Sequence, residues 1–194
     1  MLINFIPIFK KEKTLAELAS EYTHPRLAEA LNSYVDTTLQ IIHGLSDLEI
    51  AAILPDSEAD DPQAADEADR HVGWNLAHQA LHITASMEEA AAFSSIQARG
   101  IPIGGRLRSE QNWRQVTTGA EVVARLKESR RMCLAYLDTW PDQPNLAVSR
   151  VMPEDAKWPG PNATMSFLVG LMHWHRHFEQ LQRIKTSKSV AEVI

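Results

Sequence analysis

The chain has 194 residues, 44% apolar and 23% charged, which fits one globular domain able to bury its own core. Its net charge of -6, with scattered basic residues, argues against a nucleic-acid surface, which needs clustered Lys and Arg. Cys133 is the single cysteine and cannot close an internal disulfide, so a reducing compartment is permitted.

The apolar N-terminus, Met1 to Phe9, differs from a secretion signal because its lysines (Lys10, Lys11, Lys13) follow the apolar run and no small-residue cleavage site appears. No run of about 18 apolar residues occurs elsewhere. The expectation is a cytoplasmic, unprocessed protein without a membrane partner. Helical periodicity dominates from there on. Thr14 and Glu17 form a capping-box pattern for a short helix. Pro25 suits the first turn of the first long helix, whose Leu27, Leu31, Tyr34, Ile41 and Leu45 recur at three- and four-residue spacings up to Gly44 and its surroundings. Ser46 and Glu49 repeat the capping pattern before a short apolar stretch that ends near Pro55.

From Asp56 to Arg70 the chain carries seven acidic residues and no large apolar side chain, so a mobile loop is expected. A second long helix is predicted from about Val72 to Ala98, and Gly100, Pro102, Gly104 and Gly105 then force a loop. Thr118 and Glu121 cap a third, with Val122, Leu126, Cys133, Tyr136 or Leu137, and Trp140 on one face; Pro141 and Pro144 end it. Asn162 caps the fourth, which runs to about Ile184 and is apolar nearly all round at its start. The fold class read from this pattern is all-α, a single domain of residues 1–194 with four long helices and short extra helices at the N-terminus and after the first long one. Its core spans about residues 15–185.

Five of the eight histidines fall in two of these helices. His78 and His82 are four apart on the second long helix; His173 and His177 are four apart on the last, with His175 between them. Residues at i and i+4 share a helix face, so each pair can address one point. That face of the last helix also carries Ser166, Val169, Gln180, Leu181 and Ile184, an inward face. Imidazoles from facing helices are a recurrent way to hold Zn, Ni, Fe or Cu inside a bundle. Spacing alone leaves a second reading open, in which the rings are hydrogen-bonded core residues.

The run Gly73-Trp-Asn-Leu-Ala-His-Gln-Ala-Leu-His82 resembles the second-helix signature of the DinB-like superfamily, and His173-Trp-His-Arg-His-Phe-Glu-Gln-Leu181 resembles its last-helix motif. The resemblance extends from about Leu15 to Ile184. It implies an up-down-down-up four-helix bundle, frequently a homodimer, and a divalent metal held by His82, His173 and His177. Zn is the leading expectation, with Ni, Fe or Mn as others. His78 is a further candidate, as a fourth ligand or as a neighbour of the ligands. The sequence departs from the motif at Trp174 and Arg176, where acidic residues or histidine are common, and at Glu179, where glycine is common. The resemblance also implies a small-molecule substrate and a low-molecular-weight thiol such as bacillithiol, mycothiol or glutathione, used in S-transfer or thiol-dependent isomerisation. A metal-dependent hydrolase is the alternative enzyme; Glu88, Glu89 and Glu179 are then the nearby carboxylates for a general base. A non-catalytic bundle with a structural or vestigial metal is the third reading.

Other signals point elsewhere or nowhere. His78-Gln-Ala-Leu-His82 lacks the glutamate of a zincin helix, and Asp66-Glu-Ala-Asp69 has no phosphate-binding loop to accompany it. Cys133 reads as packing, and Trp113, Trp140 and Trp158 as seals at the bundle ends, with lining of a substrate mouth a secondary role. Because imidazole binds metal only when neutral, release is expected as pH falls below about 6.

Overall fold

Three helix starts follow directly from local side-chain chemistry. Thr14, Ser46 and Thr118 each accept the backbone N–H three residues on, while Glu17, Glu49 and Glu121 reach back to the capping residue. Each such cap is worth on the order of 1 kcal/mol. In the computed structural model, which describes residues 2–53, 67–156 and 160–191, the helices are α1 (Ile6–Phe9), α2 (Leu15–Ala19), α3 (His24–Ile42), α4 (Asp47–Ala51), α5 (Leu76–Ala98), α6 (Gly119–Asp138) and α7 (Ala163–Ala191). Among the described residues the only extended pairing is two isolated bridges, Gly104 with Val151 and Ser149 with Asn162.

The pairings between α3, α5, α6 and α7 fix their directions. His24 meets Trp140, Asp36 pairs with Arg130, and Asp47 accepts from the Gly119 N–H, so α3 and α6 are antiparallel. Glu88 pairs with Arg125 and Ser95 with Thr139, so α5 and α6 are parallel. His82 meets His173 while Ser94 donates to the Ala163 carbonyl, so α5 and α7 are antiparallel. The bundle therefore runs up-down-down-up, as the resemblance implied.

The core sits where α3, α5, α6 and α7 face one another. Leu27, Leu31, Tyr34, Thr38 and Ile41 form the buried face of α3, and Gly44, with φ at +79°, turns the chain out of that helix. Leu45 lies past the helix end, packed against the core rather than continuing the helical stripe. Trp174 is fully buried and donates its indole N–H to Thr38 Oγ1 at 3.0 Å. The segment before residue 15 joins this core through buried Ile3 and Phe5. Small residues let α5 and α7 close: a Cβ on Gly170 would stand 2.6 Å from Ala90 Cβ and 2.7 Å from Met87 Sδ.

Three expectations shift. The second long helix begins at Leu76, not Val72, because Asn75 caps it by accepting the His78 N–H at 2.7 Å and donating to the Ala51 carbonyl at 2.9 Å. The last helix continues past Ile184 to Ala191, since no glycine or proline interrupts residues 185–191. Of the acidic stretch expected to be a mobile loop, residues 56–66 lie outside the described residues, as does Trp158. Its end is structured: Glu67–Asp69 form a 3-10 turn, and Asp69 accepts from the Trp113 indole and from Arg114.

Candidate metal centre

Two antiparallel helices, one residue before a helix and one loop build the site. His82 lies two turns into α5, and His173 and His177 lie one turn apart on α7. Their rings converge: centroid separations are 4.9 Å for His82–His173, 5.0 Å for His82–His177 and 4.7 Å for His173–His177. One ligand-capable nitrogen from each lies within 4.8 Å of the others, and His82 Nε2 and His173 Nε2 are 2.9 Å apart.

The outer nitrogen of one ring has a hydrogen-bond partner, and that of a second faces a carboxylate at longer range. His177 Nδ1–H donates to Gln180 Oε1 at 3.0 Å, which leaves Nε2 bare. His82 Nδ1 looks toward Glu110 Oε1 at 3.7 Å. Burial raises the Glu110 carboxyl, but the His82 ring, then Arg108 and His78, more than offset this and hold it below the usual carboxylate range. The α7 rings behave oppositely. Burial, then the neighbouring imidazoles and Arg108 and Arg176, push His173 down to about 3; burial and His82 outweigh the raising effect of Gln180 and push His177 down to about 4. Both rings are therefore neutral at pH 7, the state that donates a lone pair.

This donor set fits a divalent cation. Neutral imidazoles suit Zn, Ni, Fe and Cu. A tetrahedral ion with bonds of about 2.0–2.1 Å spaces its ligands about 3.3 Å apart, so the His82 and His173 nitrogens would separate by only a few tenths of an ångström. His78 is outside the converging group. Its ring stacks on Trp113 at 5.1 Å and meets Trp74 in a tilted contact at 4.3 Å, and its Nε2 lies 3.9 Å from Glu110 Oε1. Among the described residues, the group whose ligand atoms converge is His82, His173 and His177, without His78. His173 also lines a cleft of about 270 Å³ between α5, α7 and the loop after α5.

The carboxylates weighed as bases are committed elsewhere. Glu88 holds Arg125 at 2.7 Å, Glu89 accepts the Leu107 and Arg108 N–H groups at 2.6 and 2.9 Å, and Glu179 is exposed. His175 turns away from the cluster toward Phe5, and its Nδ1 shares a hydrogen bond with the Tyr34 hydroxyl at 3.0 Å. Cys133 is buried in α6, and burial pushes its thiol up to about 12, so it serves packing.

Sequence reasoning missed Glu110 and Arg108. Both come from the loop that follows Gly105, and Glu89 of α5 pins that loop by its backbone. Trp74 is expected within the second helix; it instead precedes the Asn75 cap, where its ring meets His82 in a tilted contact at 4.7 Å and stacks with His177 at 5.8 Å.

The fold and the cluster define a class: an up-down-down-up helical bundle with three converging imidazoles between antiparallel helices. A sequence profile of the DinB superfamily matches residues 36–181, most of the chain. The protein belongs to the DinB superfamily. Comparison with curated proteins and with solved structures gave no significant match.

Proposed function

We propose that the protein is a metal-dependent enzyme that transfers a low-molecular-weight thiol to a small electrophile, with His82, His173 and His177 as ligands of a divalent metal, Zn foremost. The observation that carries this reading is the convergence of three imidazoles, two of them held neutral by burial, beside a cleft that His173 itself lines. A divalent metal held by neutral ligands keeps its full charge and supplies the Lewis acidity that lowers the pKa of a coordinated thiol.

The chain's own residues supply the rest. Gln180 holds the proton on His177 Nδ1, so that Nε2 remains a donor. Glu110 lies beyond His82 Nδ1 and orients that ring. Trp74 covers the rings of His82 and His177 and keeps water from that side. The hydrolase alternative gains nothing from Glu110, which stands behind the outer nitrogen of His82, away from the inward nitrogens that converge. A purely structural metal is less well supported than it would be with His78 completing a four-histidine shell.

The test is turnover of common electrophiles, such as chlorodinitrobenzene and bromobimane, by zinc- and nickel-loaded protein with bacillithiol, mycothiol, glutathione and cysteine. Thiol-dependent turnover that is lost in His173→Ala is the expected result. Turnover that persists without thiol favours hydrolysis, and no turnover with any pair removes the transferase reading. We further propose that the active form is a cytoplasmic homodimer, as is frequent in the superfamily, to be checked by sedimentation.

A further inference from the structure

We propose that the cleft beside His173 is a binding site for a small substrate bearing one carboxylate. The inference deepens the reading above and depends on it only in placing the bound molecule next to the histidine cluster.

Two guanidinium groups line this cleft, and both are held in place. Arg108 is only 11% exposed; its Nη1 donates to Ser86 Oγ at 2.9 Å and its Nη2 lies 3.1 Å from Glu110 Oε2. The buried Nε of Arg108 has no hydrogen-bond partner among the described residues. Arg150 lies 3.9 Å above the Phe93 ring and donates to the Gly105 carbonyl at 2.5 Å. No carboxylate among the described residues is within ion-pair distance of it. A guanidinium fork fixed by other contacts is pre-organised for a planar carboxylate.

The charges facing the cleft decide the ligand's charge. Glu89 also lines the wall, but its Oε1 is occupied by the Leu107 and Arg108 N–H groups. Glu110 sits on the far side of Arg108, engaged with that arginine and His82. Glu110 balances Arg108, so the cation left for a ligand is Arg150, which a single carboxylate pairs, with the Nε of Arg108 as a further donor. The remaining wall, including Ala90, Phe93, Val169 and Gly170, is apolar and takes the body of the molecule. A volume of about 270 Å³ restricts that body to a small one.

The test titrates phenylacetate, its neutral isostere phenylacetamide and inorganic phosphate into the full chain by calorimetry, both metal-free and zinc-loaded. Phenylacetate is expected to bind both forms at least about tenfold more tightly than the amide. Arg150→Gln is expected to lose about fivefold or more of that affinity, and Arg108→Gln more, while Arg150→Gln keeps its thermal midpoint and its zinc. The proposal is overturned by equal binding of acid and amide, by no binding of phenylacetate up to about 10 mM, by phosphate binding as tightly, or by an unchanged Arg150→Gln. If phenylacetate binds as expected but zinc does not, the metal reading fails while the carboxylate site stands.

Discussion

Replacing Glu110 by glutamine keeps the side chain's shape and removes its charge, so it tests what the carboxylate's charge does for His82 and for Arg108 beside it. Oε1 lies 3.7 Å from His82 Nδ1, beyond ordinary hydrogen-bond length, while Oε2 lies 3.1 Å from the Arg108 guanidinium. Removing a carboxylate behind a metal-binding histidine typically weakens metal affinity about 10- to 100-fold. The long contact places this case near the lower end, about tenfold or roughly 1.4 kcal/mol. Glu110→Ala should cost more, because it also removes the oxygen acceptor that glutamine would still offer the half-buried Arg108. Zinc affinity is read by competition with a chelator at pH 7.5, with surface Glu128→Gln as control, since Glu128 pairs with the exposed Arg131 on α6. A Glu110→Gln protein that binds zinc within about twofold of the parent would refute the orienting role.

Three further outcomes follow from the same geometry. The metal-free protein should lose stability as pH falls from about 7 to 5, because the unfolded chain takes protons near 6.5 that His173 and His177, held at about 3 and about 4, refuse when folded. The sign is fixed by the unfolded state binding more protons, and each ring contributes on the order of 2 kcal/mol over that window, so urea midpoints should fall and His173→Gln should remove about half of the dependence. Gly170→Ala should destabilise by about 1–3 kcal/mol, read as a lower thermal midpoint, because its methyl would meet Ala90 Cβ at 2.6 Å; an unchanged midpoint would show that α5 and α7 separate freely. Cys133→Ala should retain zinc binding and thiol-dependent turnover, and native Cys133 should resist thiol reagents, since burial holds its thiol near 12.

What the sequence made legible was local. Thr14, Ser46 and Thr118 announce helix starts because the capping contact spans three residues and needs nothing distant. The i, i+4 histidine pairs likewise declare a shared face, though not that the two faces meet. The α5 boundary was misplaced because Val72 and Trp74 continue an apolar rhythm that the Asn75 cap interrupts. The end of α7 was misplaced because the apolar signal fades before the helix does. Glu110 and Arg108 were not legible, since a loop has no periodicity and its position is set by contacts about twenty residues away, from Glu89 and Ser86. His78 could not be separated from His82 by spacing, because what distinguishes them is Trp113, which stacks on His78 alone of the two.

X-ray absorption at the zinc edge of the zinc-loaded protein examines the ligand set itself. One equivalent of zinc with an imidazole signature from three rings at about 2.0–2.1 Å, reduced to two rings in His173→Gln, is the predicted spectrum. Zinc retained without imidazole scattering, or an unchanged spectrum in that variant, would mean that His82, His173 and His177 pack together for some purpose other than holding a metal.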